Sequence, residues 1–257
     1  MCYDVSFTVD INVFSDYFPD LVYDDQIKIN YESTIHIAGH AYKEHPIIYT
    51  NREDGKLHLK LMEWGCIPFY VKDEAKFIRQ RASMLNARSE RILDDKTSYW
   101  YKIRERRCLI PITGIYEHRE IKGWKNKVPY FVKLKNEKMF FLPGLYSVAE
   151  LPDHQTGEII KRFSFTMVTR EANTVMKAIH NGGVNSGRMP LFLPFEMAKE
   201  WLSELTEDSY RQILNFEMPN DQLDYWPVFT IRGTKPRPDE KSKNEYFEWP
   251  KLPELAF

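Results

Sequence analysis

The chain is written in short apolar bursts. β-Branched and aromatic residues cluster or alternate over a few positions at a time, as in Ile35–Ala38, Pro46–Tyr49, Leu57–Leu61, Cys108–Ile112, Tyr130–Leu134, Met139–Leu142 and Phe163–Val168. Runs of that length and type read as β-strands. Helical stretches are fewer. One begins near Asp73 (DEAKFIRQ), where acids favour the helix N-terminus. In Ala172–Ile179, residues Ala172, Val175, Met176 and Ile179 share a face. Pro194–Ser203 opens with the Pro and Glu that a first turn tolerates, and a fourth helix lies near Asp208–Leu214. From about residue 226 the sequence carries five Pro and dense charge. Pro removes backbone donors, which predicts an extended strap with a disordered link near 234–244. The pattern predicts one sheet-dominated α+β domain over residues 1–225, with a Pro- and charge-rich C-terminal extension over 226–257.

Composition narrows the function classes. The chain has 257 residues, of which 43% are apolar, enough for one sizeable core. Its 16 Phe, 15 Tyr and 6 Trp exclude a solvated, disordered chain. Uninterrupted apolar stretches such as Met139–Pro143 fall far short of the ~20 residues a spanning helix needs, which predicts no membrane partner. The net charge of −1 excludes a protein coated in positive charge, but it hides a gradient. Residues 1–30 sum to −5, residues 71–107 to +5, and the last sixty to −4. A local anion-binding face is therefore compatible with the balance. Cys2, Cys66 and Cys108 are too few and too scattered for a disulfide scaffold, and their spacing matches no zinc motif. The start MCYDVSF lacks the basic region of a secretory signal, which points to a reduced, cytoplasmic compartment.

Four places could carry chemistry. Cys2 adjoins the initiator Met, whose removal would leave an α-amine beside a thiol. Such an amine, with an ordinary pKa of about 7.7–8.0, can attack an aldehyde, and the thiol can then close a thiazolidine on the imine. The plainer alternative is an incidental buried cysteine. Leu85–Glu90 (LNARSE) offers an Asn that both donates and accepts and an Arg suited to phosphate, or else a solvated turn. Cys108–Glu117 (CLIPITGIYE) sets an acid among apolar neighbours, where desolvation would raise its pKa toward general acid–base work. A surface ion pair is equally compatible. Ala178–Pro190 (AIHNGGVNSGRMP) holds His180 at a helix end before a Gly/Asn-rich loop and Arg188. This could be a proton shuttle and phosphate clamp, or a helix cap.

Taken in order, Met-Cys at the start, WGCIP (Trp64–Pro68), LNARSE, RCLIP (Arg107–Pro111) with GIYE (Gly114–Glu117), PGLY (Pro143–Tyr146), and Ile179-His180 with Arg188-Met-Pro resemble the SRAP family. Its members are the SOS-response-associated peptidases, or abasic-site processing proteins. The resemblance spans roughly residues 1–205 and implies a barrel-like antiparallel β core with flanking helices.

The function it implies is recognition of abasic sites in single-stranded DNA, with a covalent thiazolidine crosslink through Cys2 after removal of Met1. Autopeptidase and lyase activities are implied alongside. By this resemblance Asn86, Glu117 and His180 join Cys2 as catalytic residues, Arg88 and Arg188 contact phosphate, and Trp64 lies beside the DNA path. No metal or organic cofactor is implied, and a monomer is expected. A Cys2-dependent peptidase and a noncovalent single-strand binder are the alternatives. The sequence departs from the family pattern at three places. Tyr3-Asp4 follows Cys2 where Gly-Arg is common, and an acid there would repel phosphate. Seven residues, Asn181–Gly187, separate His180 from Arg188. His118 replaces a common Trp after the Glu, either entering the site or occupying its rim.

Overall fold

A computed structural model of the chain describes residues 2–25, 27, 33–153, 155–233 and 236–257. In chain order the strands are β1 (Asp4–Phe7), β2 (Val22–Tyr23), β3 (Thr34–Ala38), β4 (Glu44–Thr50) and β5 (Leu57–Trp64). Then come β6 (Asn86–Arg88), β7 (Arg107–Ile112), β8 (Gly114–Arg119), β9 (Val128–Leu134) and β10 (Phe140–Pro152). The last are β11 (Ile159–Glu171), β12 (Arg188–Pro190) and β13 (Leu223–Pro227).

Strands β11, β10, β7, β4 and β5 pair in turn antiparallel, and β5 then meets β11 in parallel to close a five-stranded barrel. Closure removes the exposed edges that an open sheet would present. The expected barrel is thus mixed rather than wholly antiparallel. The reason lies in β11, whose edge takes β5 at Ser164 and Phe165 and then β6 at Met167–Thr169. Both partners run in its own direction. The apolar bursts supply buried side chains on both faces of these strands. Ile48, Leu59, Leu109, Leu142, Phe165 and Met167 are all buried.

A second, antiparallel sheet has the order β13-β9-β8-β1-β3. One residue, Thr113, separates β7 in the barrel from β8 in this sheet, and its N–H donates to Ser6 O at 2.8 Å. The chain therefore changes sheets at the start of the GIYE run.

The helices fall where their caps dictate. Asp73 accepts from Lys76 N at 3.1 Å ahead of Glu74–Arg81, and Thr206 from Ser209 N at 3.1 Å ahead of Glu207–Asn215. The helix expected from Ala172 begins at Thr174, because Asn173 takes the cap position and accepts from Met176 N at 3.0 Å. Phe195–Trp201 packs on the barrel, where the Trp201 indole donates to Gly144 O at 3.1 Å.

The C-terminal residues lie across β8, β9 and β13. Strand β13 runs to Pro227 beside β9. Residues 234 and 235 of the expected disordered link lie outside the described residues. Residues 236–246 are wrapped around the buried Arg237, whose guanidinium donates to Ser242 O at 2.8 Å and Glu245 O at 2.7 Å and pairs with Asp239. Further on, Trp249 stacks near Phe229, and Arg119 holds the carbonyls of Pro253 and Glu254 at 2.6 and 2.8 Å. The prolines do preclude regular structure here. Side-chain donors replace the missing backbone bonds.

Candidate functional site

Three elements converge on Cys2. Strands β1 and β8 pair with Val5 opposite Ile115 and Ser6 opposite Gly114, which lays the start of the chain beside the GIYE run. That register needs a glycine at 114, where a Cβ would sit 2.1 Å from the Phe131 ring. Strand β6 brings Asn86, whose Nδ2 donates to the Cys2 carbonyl at 2.9 Å. Cys2 is fully buried, with Sγ 3.5 Å from Asp4 O. Two buried oxygens beside it, Asn86 Oδ1 and Glu117 Oε1, have no hydrogen-bond partner among the described residues. Buried polar atoms are rarely left so, and a functional site is one of the standard reasons.

Above them opens a cleft of about 420 Å³, with Tyr3, Asp4, Glu117, His118, His180 and Arg232 in its walls. Burial strips Glu117 of water, and Asp4 adds repulsion that Arg232 only partly offsets, so its carboxyl is pushed up to about 7. The Cys2 thiol is pushed well above its usual range by burial, then by Glu117, and stays protonated at neutral pH. His180 Nδ1 lies 2.8 Å from Arg188 O. A carbonyl only accepts, so Nδ1 carries the hydrogen and Nε2, 4.0 Å from Glu117 Oε2, presents its lone pair. Burial lowers the pKa of His180, which makes this a neighbouring pair rather than an ion pair. His118 lines the same cleft, pulled down to about 4 by burial and therefore neutral. Among the described residues, no group of three or more His, Cys, Asp or Glu side chains could hold a metal ion.

The seven residues after His180 fold back on themselves. Gly187 N donates to His180 O at 3.1 Å and Ser186 N to Gly183 O at 3.1 Å, with Gly183 and Gly187 at φ 93° and 71°. Those left-handed conformations suit glycine. The loop thereby returns Arg188 to His180, and Gly182–Asn185 form one lip of the cleft.

The remaining predicted residues lie in different surroundings. Arg88 is exposed, and its side chain makes no hydrogen bond or ion pair among the described residues. Arg188 is clamped by Glu90 and by Thr169 O at 2.8 Å. Trp64 is 1% exposed, and its indole donates to Leu85 O at 3.0 Å. Its ring stacks on Phe165, so in this structure it supports the LNARSE run from within the core and offers no face to a base.

The +5 segment does not form a single basic face. Arg81 is buried against Glu63 and Glu74, and Arg107 is spent on the carbonyls of Trp201 and Ser203. Asp4, expected to repel phosphate, is 1% exposed and held by His36 at 2.8 Å and by Arg232. Burial alone would raise its pKa, but these two hydrogen bonds outweigh it and hold the carboxyl below its usual range. Tyr3 and Arg232 were not anticipated in the cleft. Arg232 gives no local signal in sequence, since it sits 228 positions from Asp4 amid a charged, Pro-rich stretch.

Residues 1–231 match the family model described as SOS response associated peptidase (SRAP). The chain belongs to the SRAP family. SRAP relatives include the abasic site processing proteins YoqW and YobE of Bacillus subtilis. YoqW is 32% identical over 71% of this chain and 72% of its own length, and YobE is 31% identical over 71% and 74%. A crystal structure of a protein from Bacteroides thetaiotaomicron superposes with a TM-score of 0.75 at 27% identity, covering 95% of this chain and 97% of that one. The SRAP fold is thus shared along nearly the whole chain. Among the described residues no helix is long and apolar enough to cross a membrane.

Proposed function

We propose that this SRAP protein captures abasic sites in single-stranded DNA by forming a thiazolidine between Cys2 and the ring-opened sugar. The observation that carries the reading is the Asn86 hydrogen bond to the Cys2 carbonyl, which holds Cys2 against a buried, partly protonated Glu117 at the floor of an open cleft. Met1, whose removal the chemistry requires, lies outside the described residues.

Once Met1 is gone, the Cys2 amine adds to the C1′ aldehyde and gives a carbinolamine. Glu117, with a pKa of about 7, is protonated often enough to donate to the departing hydroxyl, and water leaves as the imine forms. The thiol cannot ionise by itself in this environment. The nitrogen keeps its hydrogen, so the intermediate is an iminium. The Glu117 carboxylate left by the first step takes the thiol proton while sulfur bonds to the iminium carbon and the C=N electron pair moves onto nitrogen. The ring closes with one water lost in total. Asn86 fixes the Cys2 backbone and offers Oδ1 to the amine or the sugar hydroxyl. His180, neutral and oriented by the Arg188 carbonyl, supports proton exchange at Glu117. Arg88 supplies an exposed phosphate contact, and Arg188 positions the wall that carries His180.

Incubation with a single strand bearing an aldehydic abasic site, followed by denaturation and intact mass measurement, tests this reading. The expected species is the protein without Met1 plus the strand, less one water, and it is absent for Cys2→Ala. If processed wild-type protein yields no such adduct, the reading is wrong. Turnover of unrelated peptides would favour a Cys2 peptidase instead.

A further inference from the structure

One wall of the cleft is built by a residue beyond the span of the family match. Arg232 directly follows residue 231, where that match ends. Its Nε donates to Asp4 Oδ1 at 3.0 Å, and its Nη2 pairs with Asp4 Oδ2. The two partners are unequal: the Asp4 side chain is 1% exposed, whereas that of Arg232 is 51% exposed. The carboxylate belongs to the core and the cation to the cleft.

Three further observations set this pair apart from an ordinary surface bridge. Asp4 takes a second hydrogen bond from His36 at 2.8 Å, so its position is fixed independently of Arg232. A forked guanidinium on a fixed carboxylate loses its rotamer freedom before any ligand arrives, which is how a donor is preorganised. Nε and Nη2 both face Asp4, and among the described residues Nη1 makes no hydrogen bond, so a half-exposed side chain in the cleft wall keeps one donor edge available. The other cation in the cleft wall, Lys127, is engaged by Glu120 at 3.2 Å. A polyanion approaching a floor built of Glu117 and Asp4 therefore meets Arg232 as the outward-facing cation.

The backbone around Arg232 is tied down for such a task. Val228 N donates to Pro129 O at 2.8 Å, Lys243 Nζ to Ile231 O at 3.2 Å, and the Trp249 indole to Val228 O at 3.0 Å. The strap thus holds Arg232 against the start of β1.

We infer that Arg232 is a strand-positioning residue, whose Nη1 edge, oriented by Asp4, donates to a phosphate of the DNA strand beside the nucleotide that enters the cleft. The inference rests on the proposed abasic-site function. It makes the C-terminal strap a working part of the binding site.

The test is noncovalent binding to a single strand carrying a tetrahydrofuran abasic analogue, which has no aldehyde and cannot crosslink, measured over a salt series. Arg232→Gln should weaken binding and reduce the slope of log K against log[salt] by about 0.7, the loss of one single-strand phosphate contact. The double variant Asp4→Asn/Arg232→Gln removes the buried charge that the single variant strands, and it should show the same slope loss in a folded protein. Arg232→Lys keeps the charge but not the fork on Asp4, so its ammonium is spent on Asp4 and it should lose the slope as Gln does. Folded Gln and double variants with the wild-type slope overturn the inference, as does a Lys variant with the wild-type slope and affinity. A crosslinking assay with an aldehydic strand separates the two levels. Without wild-type crosslinks the proposed function fails, whatever the slopes. With wild-type crosslinks and unchanged slopes, only the role of Arg232 fails.

Discussion

The side-chain amide of Asn86 and the backbone carbonyl of Cys2 are joined by a 2.9 Å hydrogen bond that spans 84 positions of sequence. It ties the short strand on the barrel edge to the first residues of the second sheet. The same side chain keeps its Oδ1 buried and without a partner among the described residues. Asn86→Ala removes both atoms. A lost hydrogen bond of this kind costs about 1 kcal/mol of stability, whereas misplacing Cys2 should slow crosslinking at least tenfold. Asn86→Asp keeps the shape but sets a carboxylate against the Cys2 carbonyl, and it should be slower still. Single-turnover crosslinking at saturating strand, beside a thermal melt, checks both. A wild-type rate in Asn86→Ala would remove this residue from the site.

Glu117 should set the pH dependence of stability as well as of reaction. Its carboxyl is raised from the usual 4.5 to about 7, chiefly by burial. The fold therefore keeps a proton that the unfolded chain releases. This contribution is intact below pH 4.5 and is lost as pH rises through 7. The loss amounts to roughly 3 kcal/mol by the pKa difference. Glu117→Gln should match wild type in stability at pH 4 and exceed it at pH 8, while crosslinking falls by about 10²-fold or more for want of proton transfer. Denaturant melts at the two pH values and a crosslinking time course read these effects separately. Equal stability gains at both pH values would contradict the raised carboxyl.

Gly114 is a packing requirement that sets the register of β8 beside β1. An added Cβ would lie 2.1 Å from Cζ of Phe131, a residue 2% exposed on the neighbouring strand. The ring cannot move aside without disturbing its own contacts with Tyr116 and Trp226. Gly114→Ala should cost about 1–3 kcal/mol by overpacking, and it should shift Glu117 three residues along the same strand. Crosslinking should therefore fall further than the melting temperature alone explains. Gly114→Ala paired with Phe131→Leu should recover stability and much of the rate. If the pair recovers neither, the clash is not what the glycine avoids.

Strands were legible in sequence because apolar bursts of four to six residues have few other readings. The helices were legible because acids open the run at Asp73 and because Ala172, Val175, Met176 and Ile179 share a face; the caps Asn173 and Thr206 emerge only in the structure. The closing parallel pair was not legible. It depends on β5 and β6 sharing one edge of β11, a long-range geometry that leaves no local pattern. Cys2, Asn86, Glu117 and His180 could be named from motifs; the fold sets Glu117 and His180 in the cleft wall and ties Cys2 to Asn86 in the interior beside it. The surroundings of Trp64 and Asp4 could not be read. An aromatic in a motif looks the same whether it faces a base or the core, and an acid looks repulsive until its partners are known. Asp4 is held by a hydrogen bond from His36 and paired with Arg232, which the fold delivers from the opposite end of the chain. Charge sums along the sequence failed because they do not show which charges are spent: Arg81 is taken up by Glu63 and Glu74, Arg91 by Asp95, and Arg107 by Glu105 and two carbonyls.

Arg88 and Arg188 flank the same short strand pair but should behave differently when removed. Arg88 is exposed and makes no side-chain hydrogen bond or ion pair among the described residues, so a phosphate contact there is its available work. Arg88→Ala should leave the melting temperature nearly unchanged and reduce the salt slope of single-strand binding by about 0.7. Arg188 already donates to Glu90 and to Thr169 O at 2.8 Å, and its backbone carbonyl orients His180. Arg188→Ala removes one of two donors to Thr169 O, which keeps the Ser89 N–H at 2.8 Å, so it should cost about 1 kcal/mol and slow crosslinking through a looser His180. Its salt slope should change less than that of Arg88→Ala. The comparison needs only a melt, a salt series and a crosslinking rate for each variant. A larger slope change for Arg188→Ala would mean that the strand displaces Glu90 and takes Arg188 for itself.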